Sequence, residues 1–128
     1  MAVIRNWREQ TPSAEGHGEQ ILWHILNHKD RQGSGVVDDP KAYCLESSLY
    51  DISRNAIQPG KRGSPPHSHE HAEQLFYILR GKGTMLLGEE EHKITEGDII
   101  HLPPNTVHQI SNGSDDWLEF LILSCRMP

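Results

Sequence analysis

Three of the chain's nine histidines fall within five residues of one another, in "PPHSHEH" (Pro65 to His71), and the chain then turns apolar in "AEQLFYIL". Such a run can be a metal site, a cluster of catalytic bases or solvated decoration. In an extended chain residues i and i+2 share a face, so His67 and His69 project together at the mouth of a strand. Paired imidazoles are a common beginning of a transition-metal site. The two prolines before them remove backbone donors and stiffen the entry, which suits an edge or a mouth. A metal needs a further ligand from a neighbouring strand. His108, in "GDIIHLPPNTVHQISN", follows a strand, a Pro-Pro turn and a new strand start, where that ligand would be supplied. Glu73 and Gln74 come next after the histidine run. As strand neighbours they face opposite ways, but both faces of "EQLFYIL" are apolar, so alternation does not choose between them.

The elements that must position these residues are short strands. "YCLESSLYDISRNAI", "QLFYIL", "GTMLL", "EHKI", "DIIHL", "TVHQISN" and "WLEFLILS" are rich in β-branched and aromatic residues. "QPG", "RGKG", "GEEE", "TEGD", "PPN" and "NGSDD" separate them with turn chemistry. Strands recurring about every 8–12 residues without helices between them predict an antiparallel sandwich or barrel. Upstream, "EQILWHILNH" is apolar on both faces and reads as either a buried strand or a short helix. "KDRQGSGVVDDPKA" after it is the longest loop, a candidate lid or connector. The domain expectation is therefore an N-terminal extension over residues 1–42, packing on the barrel or on a partner subunit, and a barrel over 43–128. An apolar "ILWHIL" in the extension favours a homodimer.

With 12 Lys and Arg against 18 Asp and Glu, the net charge is −6, a field that disfavours nucleic acid and anionic membrane as partners. No apolar run is long enough to span a bilayer, and "MAVIRNWREQ" lacks a signal-peptide layout, so a cytoplasmic location is expected. Cys44 and Cys125 lie far apart without CxxC spacing and read as two free, buried thiols. The acidic tip after Gly88 reads as a solvated turn, since consecutive carboxylates cannot all aim inward at calcium.

Two segments carry a resemblance. "GKRGSPPHSHEHAEQLFYILRG" resembles the first signature of the cupin superfamily: a glycine, His-x-His, a carboxylate and a closing glycine. "GDIIHLPPNTVHQISN" resembles the second: glycine, proline, glycine, histidine and asparagine. Gly60 stands one residue further from His67 than the family spacing, whereas His67, His69 and Gly81 fall in place, and the gap to Gly81 puts Gln74 at the carboxylate position. Gly97, Pro103, His108 and Asn112 also fall in place. Asn105 replaces the second glycine, a mild change because Asn tolerates a left-handed turn.

The resemblance implies an all-β fold, a double-stranded β-helix or jelly-roll barrel, with one divalent transition metal (Fe, Mn, Ni or Zn) at its mouth. It implies His67, His69, Gln74 and His108 as the ligands. Gln74 in place of the usual Glu leaves the metal's charge uncompensated, which makes a stronger Lewis acid and a weaker grip on the ion. The expected function is therefore Lewis-acid chemistry on a small polar molecule, of the isomerase, cyclase or lyase type. An iron-dependent dioxygenase and a non-catalytic metal- or ligand-binding protein are the alternatives. His71 is the one general-base candidate near the mouth. His101 is expected to be packed or in a subunit contact, and His17, His24, His28 and His92 to be ordinary surface or interface histidines.

Overall fold

A computed structural model describes residues 2–128 of the chain. Nine strands account for nearly all of the regular structure: β1 (Ile21–His28), β2 (Tyr43–Leu45), β3 (Leu49–Ile57), β4 (Ala72–Arg80), β5 (Lys82–Leu87), β6 (Glu90–Thr95), β7 (Ile99–Leu102), β8 (His108–Ser111) and β9 (Leu118–Arg126). They form a six-stranded sheet in the order β2-β1-β3-β9-β4-β7 and a three-stranded sheet in the order β6-β5-β8. The fold is an all-β jelly roll of two sheets. Among the described residues no helix is long and apolar enough to cross a membrane.

Cross-strand pairing settles which face of β4 is inside. Ile78 lies opposite Phe120 of β9, Phe76 opposite Ile122 and Gln74 opposite Ser124. Phe76 and Phe120 stack at 5.5 Å between ring centroids, and with Ile57, Ile78, Met85 and Leu118 they form the core between the sheets. From Ala72 to Ile78 the even-numbered residues of β4 therefore point inward. The row changes from apolar to polar at Gln74 and Ser124, where the core gives way to the mouth. The odd-numbered residues Leu75 and Tyr77 point outward and are 39% exposed.

"EQILWHILNH" contributes a strand: β1 lies between β2 and β3, pairing antiparallel with β3 from Ile21↔Ala56 to Asn27↔Asp51. "YCLESSLYDISRNAI" is two strands, β2 and β3, divided at Glu46–Ser48. The 29–42 loop is tied down at several points. It contains 3-10 turns at Lys29–Arg31 and Pro40–Ala42, Asp39 is salt-bridged to Arg5, and the Tyr43 hydroxyl accepts from Val37 N at 3.0 Å and donates to Val37 O at 2.9 Å. The N-terminal segment is held as well: Trp7 meets Trp23 edge-on at 5.1 Å and lies under the Arg54 guanidinium at 4.3 Å. Cys44 and Cys125 are free and only partly buried, because both sit on strand positions away from the core.

Candidate functional site

His67 and His69 are not on a strand. β4 begins only at Ala72, and the histidine run is an irregular segment docked against β8. The expectation of simple strand alternation fails there because the two prolines break the ladder. Docking is achieved instead by isolated backbone bonds: His108 N donates to His67 O at 2.9 Å and His67 N to His108 O at 3.2 Å. Further along, Gly63 N donates to Ile110 O at 2.9 Å and Gly60 N to Asn112 O at 2.7 Å. The side chain of Asn112 in turn donates to Ile57 O at 2.9 Å and Asp116 O at 2.8 Å, which fixes the end of β8. Asn105 adopts a left-handed φ of 65°, as its place in the second motif requires, and its backbone N donates to His69 O at 2.8 Å. The two motifs are thus hydrogen-bonded to each other at His67 and at His69.

Three imidazoles converge as a result. Ring centroids lie 4.9 Å apart for His67 and His69, 4.4 Å for His67 and His108, and 5.4 Å for His69 and His108. One ring nitrogen from each lies within 4.8 Å of the others, so the group can hold a metal ion. Two tautomers are set by backbone acceptors. His67 Nδ1 is 2.8 Å from Pro65 O and His108 Nδ1 is 2.9 Å from Thr106 O. A carbonyl can only accept, so Nδ1 carries the proton and Nε2 keeps its lone pair, the form that ligates. Electrostatics favour the same form. Burial pushes the His108 pKa down to about 4; the Thr106 carbonyl opposes this, and repulsion from His67 and His69 adds to it. Burial and then His67 lower the His69 pKa.

Gln74 lines the same cavity. Its Nε2 donates to Ser124 Oγ at 3.0 Å, and its Oε1 is buried with no hydrogen-bond partner. A buried amide oxygen left unpaired costs about 1–3 kcal/mol unless something accepts its lone pairs, and a cation is such a partner. The donor set therefore fits a divalent metal: three neutral imidazoles and one unpaired carbonyl oxygen. Glu73 lies on the outer face instead, with its Oε2 2.6 Å from His101 Nε2.

His71 lies at the exposed rim. Its imidazole is 75% exposed beside Glu70, its backbone carbonyl accepts from Met127 N, and it is absent from the cavity wall. His101 is half exposed on the outer face rather than packed. His28 is buried and accepts from Asp30 N at 3.1 Å, whereas His92 is half exposed beside Glu90. His17 and His24 are the residues that sequence reasoning missed. Both line the cavity, a space of about 140 Å³, together with Gln20, Asp51 and Ser53 and the apolar Leu22, Phe76, Ile110 and Ile122. Burial lowers the His17 pKa, His24 and His67 lower it further, and Asp51 opposes them, so these four side chains share one electrostatic environment. The missing signal was the fold of β1, which the sequence left between strand and helix.

The jelly roll, with histidines of two motifs gathered at its mouth, defines a class of β-barrel proteins that present imidazoles to a bound ion or ligand. The cupin domain family model matches residues 54–124, and the chain belongs to that family. It is 40% identical over 73 residues to an uncharacterised protein of Methanocaldococcus jannaschii, covering 57% of each chain. A predicted oxalate decarboxylase from Thermotoga maritima superposes with a TM-score of 0.75 at 23% identity, over 98% of this chain and all of the other. A putative sugar phosphate isomerase from Acidithiobacillus ferrooxidans gives 0.57 at 32% identity, over 60% of this chain and 50% of the other. The chain spans about half the length of the curated relatives it matches.

Proposed function

We propose that the protein is a mononuclear metal enzyme that acts on a small polar molecule by isomerase-, cyclase- or lyase-type chemistry. His67, His69, Gln74 and His108 would hold the ion. The observation that carries the reading is the unpaired, buried Oε1 of Gln74 in the cavity that the three converging imidazoles also line. A divalent ion held by four neutral donors supplies Lewis acidity toward a carbonyl oxygen. The chain's own contribution is to shape and dry the site: Phe76, Ile110 and Ile122 form its apolar floor, while the backbone bonds at His67 and His69 hold the imidazoles in register. Polar side chains converging on an apolar-floored cavity support turnover over storage.

The size and charge of the cavity limit the substrate. About 140 Å³ is the volume that accommodates a molecule on the order of benzene. No Lys or Arg is among the lining residues, so the wall offers no cationic clamp for a phosphate ester. This weighs against carrying a sugar phosphate over from the isomerase-like structure.

The test is elemental analysis of protein purified without added metal and again after soaking, beside Gln74→Ala. About one ion per chain, with weaker retention in the variant, supports the proposal. Absence of stoichiometric metal after soaking overturns it. Equal retention in the variant removes Gln74 from the ligand set.

A further inference from the structure

The cavity has a second polar wall, and all of it lies outside the segment that matches the family. His17, Gln20 and His24 come from the N-terminal segment and β1, and Asp51 and Ser53 from the start of β3, whereas the family match begins at residue 54.

A β-bulge builds it. On a regular strand His24 and Asn27, three residues apart, would face opposite sides. The β1–β3 register shifts between His24 and Leu26, and the extra residue brings both side chains to the face that Asp51 occupies. His24 Nδ1 lies 3.2 Å from Asp51 Oδ1, and Asn27 Nδ2 donates to the same oxygen at 2.9 Å. Asn27 is fully buried, and the His24 and Asp51 side chains are only 17% and 14% exposed. The carboxylate can only accept, so the His24 Nδ1 carries the proton and Nε2 presents a lone pair. An imidazole oriented through Nδ1 by a carboxylate, on the wall of a small cavity, has the arrangement of a general base.

We propose that His24 is a catalytic proton-transfer residue, with Asp51 as its positioning residue, for a small uncharged hydroxycarbonyl compound that has a removable proton on the hydroxyl-bearing carbon beside the carbonyl. The inference rests on the metal-site reading above, which places the carbonyl oxygen toward the His67–His69–His108 wall. The C–H bond next to the carbonyl breaks and its proton passes to His24 Nε2. The bonding pair forms a C=C bond while the carbonyl π pair moves to oxygen. The imidazolium is held against the Asp51 carboxylate and returns the proton to the former carbonyl carbon. The O–H pair of the hydroxyl on the first carbon forms the new C=O and its proton passes to the enolate oxygen, so the net change is an isomerisation with no oxidant or reductant. The charge of Asp51 and the lack of Lys or Arg disfavour an anionic substrate end at this wall.

The test uses the zinc-loaded full chain, His24→Gln and Asp51→Asn. Long-range 15N spectra of the wild type, with His24 assigned by its loss in His24→Gln, are expected to show a protonated Nδ1 and a bare Nε2. Asp51→Asn is expected to move proton occupancy toward Nε2. In D2O, loss of the carbon-bound proton signals of dihydroxyacetone or hydroxyacetone is expected to slow about 100-fold in His24→Gln at unchanged zinc content. A protonated Nε2 in the wild type overturns the inference. So does His24→Gln exchanging as fast as the wild type, or a wild type with one zinc per chain that exchanges neither probe. Failure to hold zinc is a separate result, and it removes the metal-site reading instead.

Discussion

Ser124 stands directly across the β4–β9 ladder from Gln74 and accepts its Nε2 at 3.0 Å, so the amide is anchored by its nitrogen and Oε1 is the free end. This hydrogen bond orients a proposed ligand from behind. Ser124→Ala removes it and lets the amide rotate, with little change in packing because the site is already closed on that side. Outer partners of metal ligands are worth about 10–100-fold in affinity. Zinc affinity of Ser124→Ala, measured by chelator competition, is expected to fall within that range, and urea unfolding to show a loss of about 1–3 kcal/mol for the amide N–H left unpaired.

Gln74→Glu separates the charge of the fourth donor from its position. The carboxylate keeps the reach of the amide and adds a negative charge beside the ion, so chelator competition is expected to give tighter binding than the wild type, by about tenfold or more. Gln74→Ala is expected to bind more weakly than either. The order Glu, Gln, Ala is the outcome that a ligand at this position demands, and a flat series would place residue 74 outside the coordination sphere.

Acid is expected to destabilise the metal-free protein in a definite window. His108 titrates at about 4 when folded, against an ordinary value of 6.5, because its burial resists the charge. Between those values the unfolded chain binds a proton that the folded chain refuses, so stability falls as pH drops from about 6.5 toward about 4. The melting temperature of chelator-treated protein is expected to decline over this range. His108→Gln, which has nothing to protonate, is expected to decline less steeply.

The histidine-bearing motifs were legible in the sequence because their spacing is set by backbone bonds at the mouth: His67 to His108, and His69 to Asn105. Turn chemistry was legible for the same reason, down to the left-handed Asn105. The side of β4 that faces the cavity was not, because Leu75 and Tyr77 outside are as apolar as Phe76 and Ile78 inside, and only pairing with β9 distinguishes them. The His24–Asp51 wall was hidden twice over: by a segment that read equally as strand or helix, and by a bulge that changes its parity. His71 continues the spacing of His67 and His69 yet is exposed, because the segment before β4 is not a regular strand and parity does not carry through it.

A homodimer remains an expectation with a location. β7 is an edge strand of the larger sheet; Ile99 on it is 65% exposed and pairs with Tyr77, itself 39% exposed, with Leu75 beside them. A second copy laid against this edge would cover all three apolar side chains. Light scattering is expected to give twice the chain mass, and Ile99→Lys to return the protein to monomer. A monomeric wild type at high concentration would remove the expectation.

Gly81 and Gly97 form a pair of positions at which one substitution separates two costs. Both are left-handed, with φ of 86° and 93°, so alanine at either introduces backbone strain of about 1–2 kcal/mol. At Gly97 an added Cβ meets nothing within 4 Å, whereas at Gly81 it would come 2.3 Å from the carbonyl oxygen of Trp117, a backbone atom that cannot swing aside. Gly81→Ala must therefore displace the start of β9 relative to the β4–β5 turn, and with it the layer that begins at Leu118 and ends at Ser124. Urea unfolding is expected to show Gly97→Ala losing about the strain alone, and Gly81→Ala losing clearly more, with weaker zinc binding as the Gln74–Ser124 pair shifts. Equal losses at the two positions would mean that the close approach at Gly81 contributes nothing to stability.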